Sequence, residues 1–121
     1  MPLQSELFKN DPRLQRCLIH DPSHVKRGAS GDFVHRIQVA LTLLDGLEFD
    51  SAEILSNRYG RSTAAAVLKF KQKRNIVNRS YQSQPDDIVG KITIAALDGE
   101  MVQLERTRVS IIDKIHCRIA T

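Results

Sequence analysis

A chain of 121 residues, 41% hydrophobic and 26% charged, has the make-up of one globular domain with its own core, which excludes a fold that depends on disulfide or metal staples. Aromatic residues reach only 5% and Trp is absent, so the core is expected to be aliphatic. A net charge of +4 favours acidic partners such as nucleic acid, anionic lipid or an anionic wall polymer, and is too small to choose among them.

The start, Met1-Pro2-Leu3-Gln4-Ser5-Glu6, lacks the basic residues and apolar centre of a secretory signal. No stretch approaches the ~20 apolar residues of a membrane span. The chain is therefore expected to be cytoplasmic, exported by another route, or a module of a longer protein.

Asp11-Pro12 reads as a helix start, with Asp as N-cap and Pro as the first helical residue, and Leu14, Cys17 and Leu18 share one face. That helix ends before His20-Asp21-Pro22-Ser23, and Val25 to Gly31 is a loop with two glycines. Asp32 is expected to cap the next helix, whose apolar stripe is Val34, Ile37, Leu41 and Leu44 and whose end is Asp45-Gly46. Asp50-Ser51-Ala52-Glu53 has the spacing of a capping box and opens a short helix through Leu55.

A helix is expected from the region of Gly60 to about Arg74, buried along Thr63, Ala66, Val67 and Phe70. Asn75 to Asp87 reads as a polar, irregular loop. Another helix opens near Lys91 with Ala96, Leu97 and Met101 inward, and Gly99 weakens it by about 1 kcal/mol relative to Ala. From Val102 to Thr121 the spacing of Val109, Ile112, Ile115 and Ile119 favours a helix over strands.

Two segments repeat one pattern. Tyr59-Gly60-Arg61-Ser62-Thr63-Ala64-Ala65-Ala66-Val67 and Val89-Gly90-Lys91-Ile92-Thr93-Ile94-Ala95-Ala96-Leu97 both read apolar-Gly-basic-x-Thr-x-Ala-Ala-apolar. The offset is 90 − 60 = 30 residues, which suggests one helix-starting unit used twice. Gly is expected here because it lets the loop turn sharply into the helix.

These two Gly-x-x-Thr starts lie downstream of a Gly-x-x-Val-x-x-x-Gln-x-x-Leu helix (Gly31, Val34, Gln38, Leu41). The combination resembles the peptidoglycan-binding domain family, a small three-helix module of wall-active proteins. Gly28 with Gly31 to Leu41 is similar to its first helix, Tyr59 to Val67 with Phe70 to its second, and Asp87 to Thr93 with Leu97 to its third. Phe70-Lys71 stands where the family usually has Phe-Gln.

The resemblance covers residues 25–98 and implies an all-α three-helix bundle there; the ends lie outside it, and their own residues lead us to expect a helical extension at 1–24 and a second, helical, at 99–121. It also implies a bacterial or phage origin and a non-catalytic role, binding peptidoglycan or its stem peptides and targeting a linked hydrolase or secretion-machine protein to the wall. Export to the periplasm or a target cell envelope would then bypass the general secretory route. The alternative is an adaptor module of a secretion or phage particle that uses the same fold without sugar affinity.

Little in the sequence points to chemistry. Cys17, His20 and His24 have ligand-like spacing, but Pro22 breaks the helix that would hold them together, so no metal and no cofactor are expected. Cys17 and Cys117 read as free thiols, Cys17 as a small core residue. His116 and Cys117 are neighbours and point apart on a helix, Glu53 and Asp87 lie in unlinked segments, and Gly60 lacks the Lys-Ser/Thr continuation of a phosphate loop, so no enzyme is expected. Arg61, Lys69 and Lys73 would share a basic helix, yet no helix-turn-helix turn accompanies them, so nucleic acid and membrane are not the expected partners. The candidate ligand site is Tyr59, Arg61, Lys73, Arg74, Tyr81 and Gln82: basic groups for stem-peptide carboxylates, aromatic and amide groups for sugars.

Overall fold

The Asp11 carboxylate accepts the N–H groups of Arg13 at 3.0 Å and Leu14 at 3.1 Å, and Pro12 occupies the first helical position, where its missing N–H is no loss. This starts α1 (Pro12–Ile19). The structure is a computed structural model that describes residues 2–20, 23–77 and 85–120, with 108–120 described as backbone alone. Four more helices follow: α2 (Asp32–Asp45), α3 (Ser51–Ser56), α4 (Arg61–Arg74) and α5 (Lys91–Ala120). Among the described residues the fold is all-α, and extended pairing is limited to two isolated bridges, Val25 with Val89 and Ser30 with Arg58.

α2 differs from its expected start. Gly31 is the N-cap at φ +136°, a left-handed conformation that favours glycine, and no side chain caps the helix. Asp32 lies one residue inside and pairs with Arg36, one turn on, at 3.3 Å. The other end is as expected, with Gly46 left-handed and its N–H donated to Thr42 O at 2.9 Å.

α3 also corrects a local reading. Asp50 caps it through the Ala52 N–H at 3.0 Å, but Glu53 does not close the box. The Asp50 N–H donates instead to Ser62 Oγ at 2.9 Å, and Glu53 turns away toward α4.

α5 runs unbroken for 30 residues, about 45 Å, so the segment after Gly99 continues the last helix.

α2, α4 and α5 meet in one core. Val34, Ile37 and Leu41 of α2 lie in one cluster with Val67 and Phe70 of α4 and with Ile94, Leu97 and Met101 of α5. Leu3, Phe8, Leu14 and Cys17 belong to the same cluster, so the N-terminal residues complete this core. Two carboxylates of α5 hold them there. Asp98 accepts the N–H groups of Gln4 at 3.0 Å and Ser5 at 2.8 Å, and Glu105 accepts Ser5 Oγ at 2.7 Å and the Glu6 N–H at 2.9 Å.

The far end of the bundle is tied by Arg74. Its guanidinium donates to both Asp45 oxygens at 2.9 Å and to both Glu100 oxygens, and it lies 3.8 Å from the centroid of the Phe70 ring. Donating to Glu100 and to Asp45 raises the Arg74 pKa further. The bond from Arg74 holds the Asp45 carboxyl below its usual range against the opposing effect of burial.

Candidate binding surface

The repeated Gly units dock side by side on one short segment. Val25 exchanges both backbone hydrogen bonds with Val89, at 3.0 and 2.8 Å. Three residues on, Gly28 N–H donates to Tyr59 O at 3.0 Å, and Tyr59 N–H donates to Ala29 O at 2.8 Å. Residues 25–31 are thus the shared backing of both helix starts. The equivalent residues take equivalent places: Tyr59 and Val89 are fully buried, and so are Thr63 and Thr93.

The glycines answer to crowding. Gly60 has φ −105°, which any residue adopts, and Gly90 is not among the glycines with positive φ. A Cβ on Gly60 would stand 2.7 Å from the Glu53 carboxyl carbon, and one on Gly90 would stand 3.3 Å from the His24 ring. Close approach, where a sharp turn was expected, is the reason for glycine.

Glu53 fills the start of α4. Its carboxylate accepts the N–H groups of Gly60 at 2.9 Å, Ser62 at 2.9 Å and Thr63 at 3.0 Å, and the hydroxyls of Ser62 at 2.7 Å and Thr63 at 2.9 Å. Burial pushes its pKa up, but the bonds from Ser62 and Thr63 outweigh it and hold the group at about 2. The positive end of α4 is therefore already occupied by an anion from within the chain.

Around these docked turns lies a basic surface. Lys26, Arg27, Arg58, Arg61 and Lys91 are all exposed and flank the paired backbone segments. Arg27 lies 3.6 Å from Asp87, whereas Lys26, Arg58 and Arg61 have no ion-pair partner among the described residues. Nearby acids are committed elsewhere: Glu53 to α4, and Asp86 to the buried Lys71 Nζ at 2.5 Å.

The residues expected to form a site divide into three groups. Tyr59 is fully buried, its hydroxyl donates to Asp87 O, and burial with the nearby charges of Asp87 and Asp86 raises its pKa. It is a core residue and offers a ligand no surface, which corrects its place in the site. Arg61 is exposed at the start of α4, but Lys73 and Arg74 stand at the other end, about 18 Å along the helix. Arg74 is bound up with Asp45 and Glu100, and the 67%-exposed Lys73 lies 3.5 Å from Asp45. Tyr81 and Gln82 lie outside the described residues. Arg61 thus belongs with Lys26, Arg27 and Arg58, which the sequence reading missed. Their signal was the basic residue beside each glycine, in Lys26-Arg27-Gly28, Arg58-Tyr59-Gly60-Arg61 and Gly90-Lys91.

The perturbed groups here are structural. The free, buried Cys17 thiol donates to Val89 O at 3.3 Å, and burial pushes its pKa up to about 11, which disfavours the thiolate a nucleophile needs. Glu53 at about 2 is saturated with donors and unsuited to proton transfer at neutral pH. Among the described residues no group of three His, Cys, Asp or Glu side chains could hold a metal, and no helix is long and apolar enough to cross a membrane. Comparison with protein-family models, curated proteins and solved structures finds no match to this chain.

Proposed function

We propose that this chain is a non-catalytic module that binds the bacterial cell wall and holds a linked activity there, using the frame of α2, α4 and α5 as a peptidoglycan-binding domain does. The observation that carries the reading is the basic surface at the paired helix starts, where Lys26, Arg58 and Arg61 are exposed and without ion-pair partners among the described residues. Carboxylates of stem peptides, or phosphates of wall polymers, would meet these cations. Exposed pairs contribute only ~0–1 kcal/mol each, so binding would be weak, additive over several contacts and sensitive to salt. The proposed role includes no hydrolysis, because Glu53 and Cys17 are committed to structure.

Pull-down on insoluble purified wall across a salt series tests this. The expected result is retention at low salt that fades as salt rises. Soluble muropeptides released by the pure chain and abolished by one point mutation would overturn the non-catalytic part. The second reading, an adaptor in a secretion or phage particle, is favoured by one observation: Leu55 is 85% exposed and Leu43 is 41% exposed on the α2–α3 side. No retention on wall at low salt would select it.

A further inference from the structure

The basic surface reaches across both repeats. The pairing of Val25 with Val89 brings residues 25–31 beside the start of α5, which carries Lys91. The pairing of Gly28 and Ala29 with Tyr59 brings them beside the start of α4, which carries Arg61. Between these two contacts the chain makes a tight turn: the Ala29 N–H donates to Lys26 O at 3.1 Å, and Gly28 is left-handed at φ +93°. Lys26 and Arg27 stand exposed on this turn, and Arg58 lies at the bridge to Ser30. The cations of the two helix starts are thus joined through those of the turn. Since Glu53 already takes the N–H groups at the start of α4, side-chain charge is what this surface offers a ligand.

We propose that the wall component bound here is an anionic phosphodiester polymer of the poly(glycerol phosphate) kind, laid across both helix starts with successive phosphates on Arg58 and Arg61, on Lys26 and on Lys91. This deepens the wall reading and rests on it. Three properties select such a chain over a stem peptide or a glycan. Stem peptides carry amino groups beside their carboxylates, and the acids next to this surface are committed, Glu53 to Ser62 and Thr63, Asp86 to Lys71 and Asp87 to Arg27. The rings close in sequence to these cations are taken, Tyr59 by burial and Phe33 by Arg13, which lies 5.0 Å from its centroid, so neither sugar faces nor nucleic-acid bases find a stacking partner in them. One exposed ion pair changes an affinity by about fivefold at most, so a single carboxylate is held weakly. A chain that repeats one anion at short intervals engages several cations at once, and linked contacts raise affinity by about 10²–10⁴.

The test divides a purified wall that carries poly(glycerol phosphate) and treats one half with hydrofluoric acid, which cleaves phosphodiesters and leaves glycan and peptide. At low salt the whole chain is expected to be retained on the untreated half and about tenfold less on the treated half, where the linked contacts are gone. Soluble poly(glycerol phosphate) is expected to release it at phosphate concentrations about a hundredfold below those needed with monomeric glycerol phosphate or a soluble muropeptide. Backbone amide NMR signals followed during titration with the polymer are expected to move at Lys26, Arg58, Arg61 and Lys91 together. Arg61→Glu, at an exposed position, is expected to keep the parent's amide spectrum and to lose about tenfold in polymer affinity, because an attraction becomes a repulsion. Equal retention on both halves would overturn the polymer and leave the wall reading standing, with stem peptides as the ligand. No retention on either half would overturn both. Release by the monomer at equal phosphate, shifts confined to one helix start, undiminished polymer binding by Arg61→Glu, or tighter binding of random-sequence duplex DNA at equal phosphate would each overturn the proposal.

Discussion

Glu53 and Gly60 approach so closely that neither position tolerates much change. The Gly60 N–H donates to Glu53 Oε1 at 2.9 Å, and a Cβ at 60 would come within 2.7 Å of the carboxyl carbon. Glycine leaves room for the carboxylate, and the carboxylate satisfies the open N–H groups at the start of α4.

The three glycines of the two repeats and α5 should therefore respond differently to alanine. Gly60→Ala should destabilise by about 1–3 kcal/mol, because the displaced group is a held carboxylate. Gly90→Ala should cost less, since its Cβ would meet the His24 ring at 3.3 Å. Gly99→Ala should stabilise by about 0.5–1 kcal/mol, because it is a helix-interior glycine and its Cβ would find nothing within 4 Å. Denaturant midpoints of the three variants give this order, and a Gly60 variant as stable as the parent would remove crowding as the cause.

Acid should loosen the start of α4. An unfolded-chain Glu titrates near about 4.3, whereas Glu53 in the folded chain titrates at about 2. A depressed folded pKa contributes stability that is present above the unfolded value and lost as pH falls toward the folded one. Stability should thus drop between about pH 5 and pH 2, and Asp45, also lowered, adds to the same window. Glu53→Gln should be less stable at neutral pH and flatter across that window. A parallel pH profile for parent and variant would exclude Glu53 as a source of the acid sensitivity.

Phe70 is fully buried in the shared core and lies under the Arg74 guanidinium. Phe70→Ala should cost about 3–5 kcal/mol. A loss below about 1 kcal/mol, in the range of ordinary surface changes, would show that the core lies elsewhere.

What the sequence shows and hides follows the range of each interaction. Asp11, Gly46 and the stripe of Val34, Ile37 and Leu41 are legible because each obeys a rule within one or two helical turns. Glu53 is not, because Asp50-Ser51-Ala52-Glu53 has the spacing of a local box while its true partners lie seven to ten residues on. Tyr59 next to a loop glycine reads as exposed, and only the pairing of its backbone with Gly28 and Ala29 shows that the ring turns inward. Arg74 reads as one of several cations in a basic run, yet its acids come from α2 and α5, 29 and 26 residues away. Arg58 and Arg61 share a surface with Lys26 and Arg27 through long-range backbone pairing, which no local window contains.

That division yields a test that separates structure from binding. Arg74 is 19% exposed and holds Asp45 and Glu100, so Arg74→Ala should lower stability and leave the wall affinity of the folded fraction unchanged. Arg58→Ala and Arg61→Ala remove exposed side chains with no ion-pair partner among the described residues. Stability should move by less than about 0.5 kcal/mol in each. Wall retention at low salt should weaken in each and fall further in the double variant, with a shallower dependence on salt, because fewer cations remain to be screened. Retention by the Arg58→Ala/Arg61→Ala double variant equal to the parent's at every salt concentration would take the wall contact away from the basic surface. Loss of retention in Arg74→Ala alone would place it at the opposite end of α4.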